Sequence, residues 1–74
     1  MKMKSSKYLH FKNQGEPVQW NEITISVESI IYILWEIDSL KQIQKCEIYM
    51  KYGGYVLLFR SNAIDLWDVL GLSG

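Results

Sequence analysis

The sequence contains one cysteine, Cys46, and one histidine, His10. A single cysteine cannot form an intrachain disulfide, and a lone thiol is typical of proteins from a reducing compartment. We therefore interpret Cys46 as a small buried hydrophobic residue of a strand. A zinc site of the usual Cys/His type needs several such ligands, so we expect no metal and no cofactor. With disulfides and metals excluded, association with a partner subunit is the remaining way to stabilise so small a core.

Motifs of the common enzyme classes are also missing. The chain has no GxSxG, no glycine-rich phosphate loop, no HExxH and no CxxC. Glu36 and Asp38 are two residues apart and would share one face of a strand, an arrangement that paired-carboxylate catalysis can use. A solvated strand end explains this pair more simply. We predict that the protein is not an enzyme.

Long hydrophobic runs are absent as well. No stretch of about eighteen apolar residues exists, so no transmembrane helix is expected. Lys2 and Lys4 give the start of the chain the charge of a signal peptide, but polar residues follow where the apolar segment of such a peptide would lie. We therefore expect a cytoplasmic protein that makes no membrane contact.

The chain carries no net charge, because eight basic residues balance eight acidic ones. Near-neutral charge argues weakly against nucleic acid as the main partner, since phosphate binding depends on an excess of Lys and Arg. Isoleucine and lysine are abundant, whereas alanine and arginine occur once each. That bias is typical of AT-rich coding, and our hypothesis is an origin in a phage or mobile element.

What the chain does contain is a strong hairpin pattern between residues 46 and 60. Two apolar, aromatic runs meet at Gly53 and Gly54, which can supply the positive φ angles of a two-residue turn. Symmetric pairing about that turn places Tyr52 opposite Tyr55. In this register the core face comprises Cys46, Ile48, Met50, Tyr52, Tyr55, Leu57 and Phe59. The second face comprises Glu47, Tyr49, Lys51, Val56, Leu58 and Arg60.

The segment before the hairpin is ambiguous between helix and strand. Residues 21–38 show both a helical stripe and a strand alternation. We favour an edge strand near 23–27 and a main strand at 29–38, because the hairpin needs a third strand to be stable. Further towards the N-terminus we expect a strand at 7–12, a turn at 13–17 and a short strand at 18–20.

A C-terminal helix is expected over about 62–70. Asn62 is a favourable N-cap and Gly71 a favourable C′ residue, while Ile64, Trp67 and Leu70 share one helical face. The predicted fold class is therefore α+β: a small antiparallel β-meander of three to five strands with one C-terminal α-helix packed on the sheet. We predict a flexible basic N-terminus at 1–6 and a single domain at 7–74.

The end of the chain resembles a known arrangement. The stretches VESIIYI and CEIYMKYGGYVLLFRSNAIDLWDVLG are similar to the strand–strand–helix ends of LytTR-type DNA-binding domains and of small flagellar proteins of the FlbD type. The basic loops with which a LytTR domain reads DNA are not matched, so the resemblance implies no site residue.

The second face of the hairpin is more apolar than a purely solvated face, and such patches usually mark interaction surfaces. We predict a non-enzymatic protein-interaction module, a regulator or inhibitor, that binds a protein partner or self-associates through its sheet as a homodimer or higher oligomer. The candidate partner-binding residues are Trp35, Tyr49, Lys51, Val56, Leu58 and Arg60. One alternative is that residues 8–20 fold back over this patch. Another is that its basic and aromatic side chains bind nucleic acid or a nucleotide.

Overall fold

The computed structural model describes residues 8–72, which form two antiparallel sheets and one helix. β1 and β2 pair with each other, and β3, β4 and β5 form a second sheet in that order. The α+β fold class, with antiparallel strands and one C-terminal helix packed on the sheet, is confirmed. The expected N-terminal segment at 1–6 lies outside the described residues. The elements are β1 (Tyr8–Lys12), β2 (Glu22–Ser26), a 3₁₀ turn (Val27–Ser29), β3 (Ile30–Ile37), β4 (Ile43–Met50), β5 (Tyr55–Phe59) and α1 (Arg60–Val69).

The ambiguous segment forms strands, as predicted from the hairpin's need for a third strand. The short strand expected at 18–20 is wrong, because residues 13–21 form a single loop between β1 and β2. Asn13 closes that loop with two hydrogen bonds. Its backbone N–H donates to the Asn21 carbonyl at 2.8 Å, and its side-chain amide donates to the Trp20 carbonyl at 3.0 Å. Backbone groups that a strand would pair are therefore already bonded.

The hairpin between β4 and β5 forms, but its predicted register is wrong by three residues. Ile48 is opposite Val56 and Tyr49 is opposite Tyr55. The reason is the turn. The Gly53 N–H donates to the Met50 carbonyl at 3.1 Å, so the turn is centred on residues 51 and 52 and the two glycines follow it. Both glycines do have positive φ, 99° and 77°, but they lie at the end of a longer loop and not at its centre.

The core lies on one face of the three-stranded sheet, beneath β1, β2 and α1. Its fully buried side chains from the sheet are Cys46, Ile48 and Leu58, and the second layer contributes Phe11 and Ile25 among others. Cys46 is buried as expected. The β4 half of the predicted core face is thus correct, whereas the β5 half is inverted, because a three-residue slip exchanges the two faces of a strand.

The helix begins at Arg60, two residues before the expected N-cap. Asn62 lies inside α1, 4% exposed, and its side-chain amide donates to the Lys12 carbonyl at 2.8 Å. It therefore ties α1 to β1 instead of capping the helix. The buried residues of α1 are Asn62, Ala63 and Leu66. Of the expected face, Leu70 packs against the core and Trp67 against Trp35, as predicted, whereas Ile64 is 42% exposed.

The C-terminal end of α1 matches the expectation for Gly71. Gly71 has φ 74°, and its N–H donates to the Asp68 carbonyl at 3.0 Å, while the Leu72 N–H donates to the Trp67 carbonyl at 3.2 Å. These two bonds make a Schellman cap, which satisfies carbonyls that the helix itself cannot pair.

Candidate interaction surface

The open face of this protein is the face of the three-stranded sheet that points away from the core. Strand pairing arranges its nine side chains in three rows that cross β3, β4 and β5. In the described part of the chain, β1, β2 and α1 pack on the opposite face. The first row is Tyr32, Tyr49 and Tyr55, the second is Leu34, Glu47 and Leu57, and the third is Glu36, Lys45 and Phe59.

The open face remains accessible in the described structure. Tyr32, Leu34 and Tyr55 are each at least half exposed. The loop around Trp20 reaches the outer edge of β5, where it lines a depression with Tyr55. The alternative in which residues 8–20 cover the expected patch is correct for Val56, Leu58 and Trp35, which lie in the same cluster as Phe11 and Trp20. It is wrong for Tyr49, which lies on the open face, away from β1.

The tyrosine row forms a stack across the three strands. The ring centroids of Tyr32 and Tyr49 are 4.7 Å apart with an interplanar angle of 21°, and those of Tyr49 and Tyr55 are 5.4 Å apart at 27°. Aromatic cross-strand pairs of this kind stabilise a sheet and stiffen its surface. The flat faces of the central ring are used by its two neighbours, so the row presents ring edges and hydroxyl groups to solvent.

The charged groups of the open face are mostly satisfied within it. The Lys45 ammonium is 3.7 Å from the Glu36 carboxylate and 5.9 Å from the centre of the Phe59 ring. The Tyr49 hydroxyl donates to the Glu47 carboxylate at 2.9 Å. This hydrogen bond raises the pKa of the Tyr49 phenol, because deprotonation would place two negative oxygens against each other.

The six residues expected to bind a partner do not form one surface, because the observed strand register places them on different faces of the sheet. Tyr49 lies on the open face, whereas Leu58 is fully buried and Val56 is partly buried in contact with the core. Trp35 also lies on the core side, where its ring packs edge-on against Trp67 with centroids 4.8 Å apart. A buried leucine has no surface to offer, so Leu58 cannot act as a contact residue in this fold.

The two basic members of that set lie outside the strands. Lys51 is in the turn after β4, while Arg60 follows β5 at the other end of the hairpin. A five-residue strand separates these two ends by roughly 16 Å. Arg60 has φ 41°, an unusual backbone conformation for a residue with a side chain, at the point where the chain changes from strand to helix. Lys51 and Arg60 therefore do not form one basic patch.

Sequence reasoning missed most of the open face. The predicted register places Tyr55, Leu57 and Phe59 on the core face because it centres the turn on the two glycines. The sequence pattern assigns no face to Tyr32 and Leu34. One sequence signal was available: residues 45, 47 and 49 alternate with the buried Cys46 and Ile48, so any side chain paired with them shares the open face.

The outer edge of β3 is a second candidate surface. Within residues 8–72 it pairs with β4 along one side, and no strand pairs with its other side. Its sequence, IIYILWEI, leaves Ile31 58% exposed and Ile37 43% exposed. Register irregularities occur near both ends, between Ile30 and Tyr32 and between Glu36 and Ile37. An apolar edge strand of this length is a template for pairing with another chain.

The remaining polar groups serve local structure. His10 contacts the Thr24 hydroxyl at 2.8 Å and the Glu22 carboxylate at 2.9 Å, in an exposed cross-strand network. Burial raises the pKa of the Cys46 thiol to about 12, which keeps it protonated and unreactive at neutral pH. Among residues 8–72 no group of three or more His, Cys, Asp or Glu side chains is placed to hold a metal ion.

In the described part of the chain no helix has the length and apolar character needed to cross a membrane. No protein-family model, curated protein or solved structure matches this chain.

Proposed function

We propose that this chain is a small non-enzymatic protein-interaction module, a regulator or inhibitor, that binds a protein partner through the open face of its three-stranded sheet. The observation that carries the proposal is the composition of that face: six of its nine side chains are aromatic or aliphatic, on a sheet whose other side is filled by the core. Apolar surface of this kind on a small protein is typical of an interaction site. Burying it would also add to a core that is small for an independent domain.

The size of the open face sets the size of the partner segment. Three strands about 4.8 Å apart and three rows about 6.7 Å apart give a footprint of roughly 300 Å². A standard interface buries about 800 Å² on each partner. The open face therefore suits one short segment of a partner, such as a single helix, with further contacts at its margins.

Self-association is proposed through the outer edge of β3. Packing two open faces centre on centre would bring Glu47 of one copy against Glu47 of the other, and two buried carboxylates repel. Pairing of β3 with β3 of a second copy instead continues the sheet and leaves Glu47 in water. In an antiparallel register centred on Leu34, Glu36 of one copy would face Tyr32 of the other, so no like charges meet.

The nucleic-acid alternative has less support. The open face carries two carboxylates, Glu36 and Glu47, against one ammonium, Lys45, which is already paired with Glu36. The tyrosine rings stack on one another, so only the ends of the row have a free flat face for a base. Lys51 and Arg60 lie at opposite ends of the hairpin and do not add up to a phosphate-binding groove.

Affinity capture from source cells with matched variants tests the docking surface. Leu34→Arg places a charge on the open face, and Leu40→Arg makes the same change at another exposed leucine, in the turn between β3 and β4. We expect the wild type and Leu40→Arg to retain one protein partner that Leu34→Arg loses, while circular dichroism remains the same for all three. Equal retention by both variants would remove the open face as the binding surface.

A further inference from the structure

A carboxylate occupies the centre of the open face. Glu47 lies in the middle strand and the middle row, between Leu34 of β3 and Leu57 of β5. It is partly buried, and its described polar contact is the hydroxyl of Tyr49 at 2.9 Å. Within residues 8–72 no basic side chain forms an ion pair with Glu47, whereas Glu36 at the rim has Lys45.

A partner that covers this face must compensate the negative charge of Glu47. Covering Glu47 with apolar groups removes its water without replacing it, and an isolated buried carboxylate is strongly unfavourable. A lysine or arginine placed over Glu47 instead forms a charge-assisted hydrogen bond in a partly desolvated site. The edge of the tyrosine row lies beside this position, where its hydroxyl groups offer further acceptors. Charge complementarity therefore selects a cationic partner.

The spacing of the middle row indicates the form of the partner. Leu34 and Leu57 are two strand spacings apart, about 10 Å, with Glu47 halfway between them. On an α-helix, side chains at i and i+7 are about 10.5 Å apart, and positions i+3 and i+4 lie between them on the same face. A helix laid along this row can thus contact both leucines and place one cation over Glu47.

We propose, on the basis of the interaction function above, that the open face binds a short helical protein segment that presents one lysine or arginine between two apolar side chains. Glu47 supplies the selectivity for the cation, and Leu34 and Leu57 supply the apolar contacts. Glu36, which lies at the rim and is already paired, serves as the matched control carboxylate.

Selection from a displayed library of helical peptides, about 15 residues long, tests this proposal with the full chain as bait. Selected peptides are then titrated by NMR against the wild type, Glu47→Gln and Glu36→Gln. Glutamine keeps the size of the side chain and its ability to accept the Tyr49 hydroxyl, so folding is preserved. We expect peptides with a central Lys or Arg that shift the amides of Leu34, Glu47 and Leu57. Affinity should fall about tenfold with Glu47→Gln and less than about threefold with Glu36→Gln.

The other possible results contradict either the cation requirement alone or the interaction function as well. Peptides that bind the open face without a basic residue, or that bind Glu47→Gln as well as the wild type, would overturn the cation requirement while leaving the interaction function in place. Peptides that bind elsewhere, or none that bind at all, would overturn both. Binding of an oligothymidine probe to the open face in preference to every peptide would also overturn both.

Discussion

The register of the β4–β5 hairpin determines which side chains a partner can reach, and two adjacent leucines report on it. Leu58 is 0% exposed on the core face, whereas Leu57 lies next to it on the open face. The register predicted from the sequence assigns these two residues to the opposite faces. Replacing each leucine in turn by alanine therefore distinguishes the two registers by the free energy of unfolding.

The size of the effect follows from burial. Truncating a fully buried leucine to alanine removes transfer free energy and leaves a cavity, at a cost of about 3–5 kcal/mol. Leu57 loses only partial contact with its neighbours in the middle row, so about 1 kcal/mol or less is expected. A domain of this length is stable by roughly 4–11 kcal/mol. Leu58→Ala thus removes a large fraction of the total stability, and Leu57→Ala does not.

Urea unfolding of the wild type and the two variants, followed by tryptophan fluorescence, measures this difference. We expect the midpoint to fall far more for Leu58→Ala than for Leu57→Ala, with a similar dependence on urea in all three proteins. Equal losses would refute the assignment of the two residues to opposite faces. A larger loss for Leu57→Ala would favour the register centred on the two glycines.

Two further predictions concern the thiol and the sheet edge. The pKa of Cys46 rises from 9.0 to about 12 on folding. Between these pH values the unfolded chain loses the thiol proton and the folded chain keeps it, so the free energy of unfolding falls as pH rises. Urea titrations at pH 8 and pH 10 should show a larger loss of stability for the wild type than for Cys46→Ala, and equal losses would contradict this prediction. In light scattering, the wild-type mass should exceed that of a monomer and rise with concentration. Ile31→Lys at the β3 edge should remain monomeric, whereas the helix variant Ile64→Lys should behave as wild type. A monomeric wild type would rule out self-association at this edge.

The secondary structure could largely be predicted because its determinants are local. The β-branched and aromatic residues of Ile30–Ile37 favour a strand, and the hairpin that follows them, which needs a third strand, decides against a helix. Gly71 ends α1 because its positive φ permits the Schellman cap, which depends on residues within one helical turn. These features can be identified from a few adjacent residues, and so the α+β class and the order of the elements followed from the sequence.

The open face could not be predicted, because it depends on where the hairpin turns. Gly53 and Gly54 need positive φ both at the centre of a two-residue turn and at the end of a longer one, so they do not distinguish the two registers. The alternation within each strand is also the same in either case. A slip of three residues nevertheless moves Leu58 from the surface to the core, and the predicted contact set moves with it.

Asn62 illustrates the same limit in the helix. Its side chain is suited to an N-cap, but in the folded chain it donates to the Lys12 carbonyl, fifty residues earlier. That bond exists only once β1 and α1 are side by side, and no pattern near residue 62 indicates it. Tertiary contacts overrode a correct local preference.

The division of the strands into two separate sheets has a consequence for how the molecule opens and closes. Each ladder joins strands that are consecutive in sequence, so each closes only a short loop and folding requires little loss of chain entropy. The β1–β2 hairpin shares no ladder with the other sheet, and it is held by side chains such as Phe11 and Ile25 and by the Asn62 bond. We therefore expect it to open as a unit before β3, β4 and β5 separate, which faster amide hydrogen exchange in β1 and β2 than in β4 would show. Such an opening would expose the inner apolar face of the three-stranded sheet, which is covered in the closed structure.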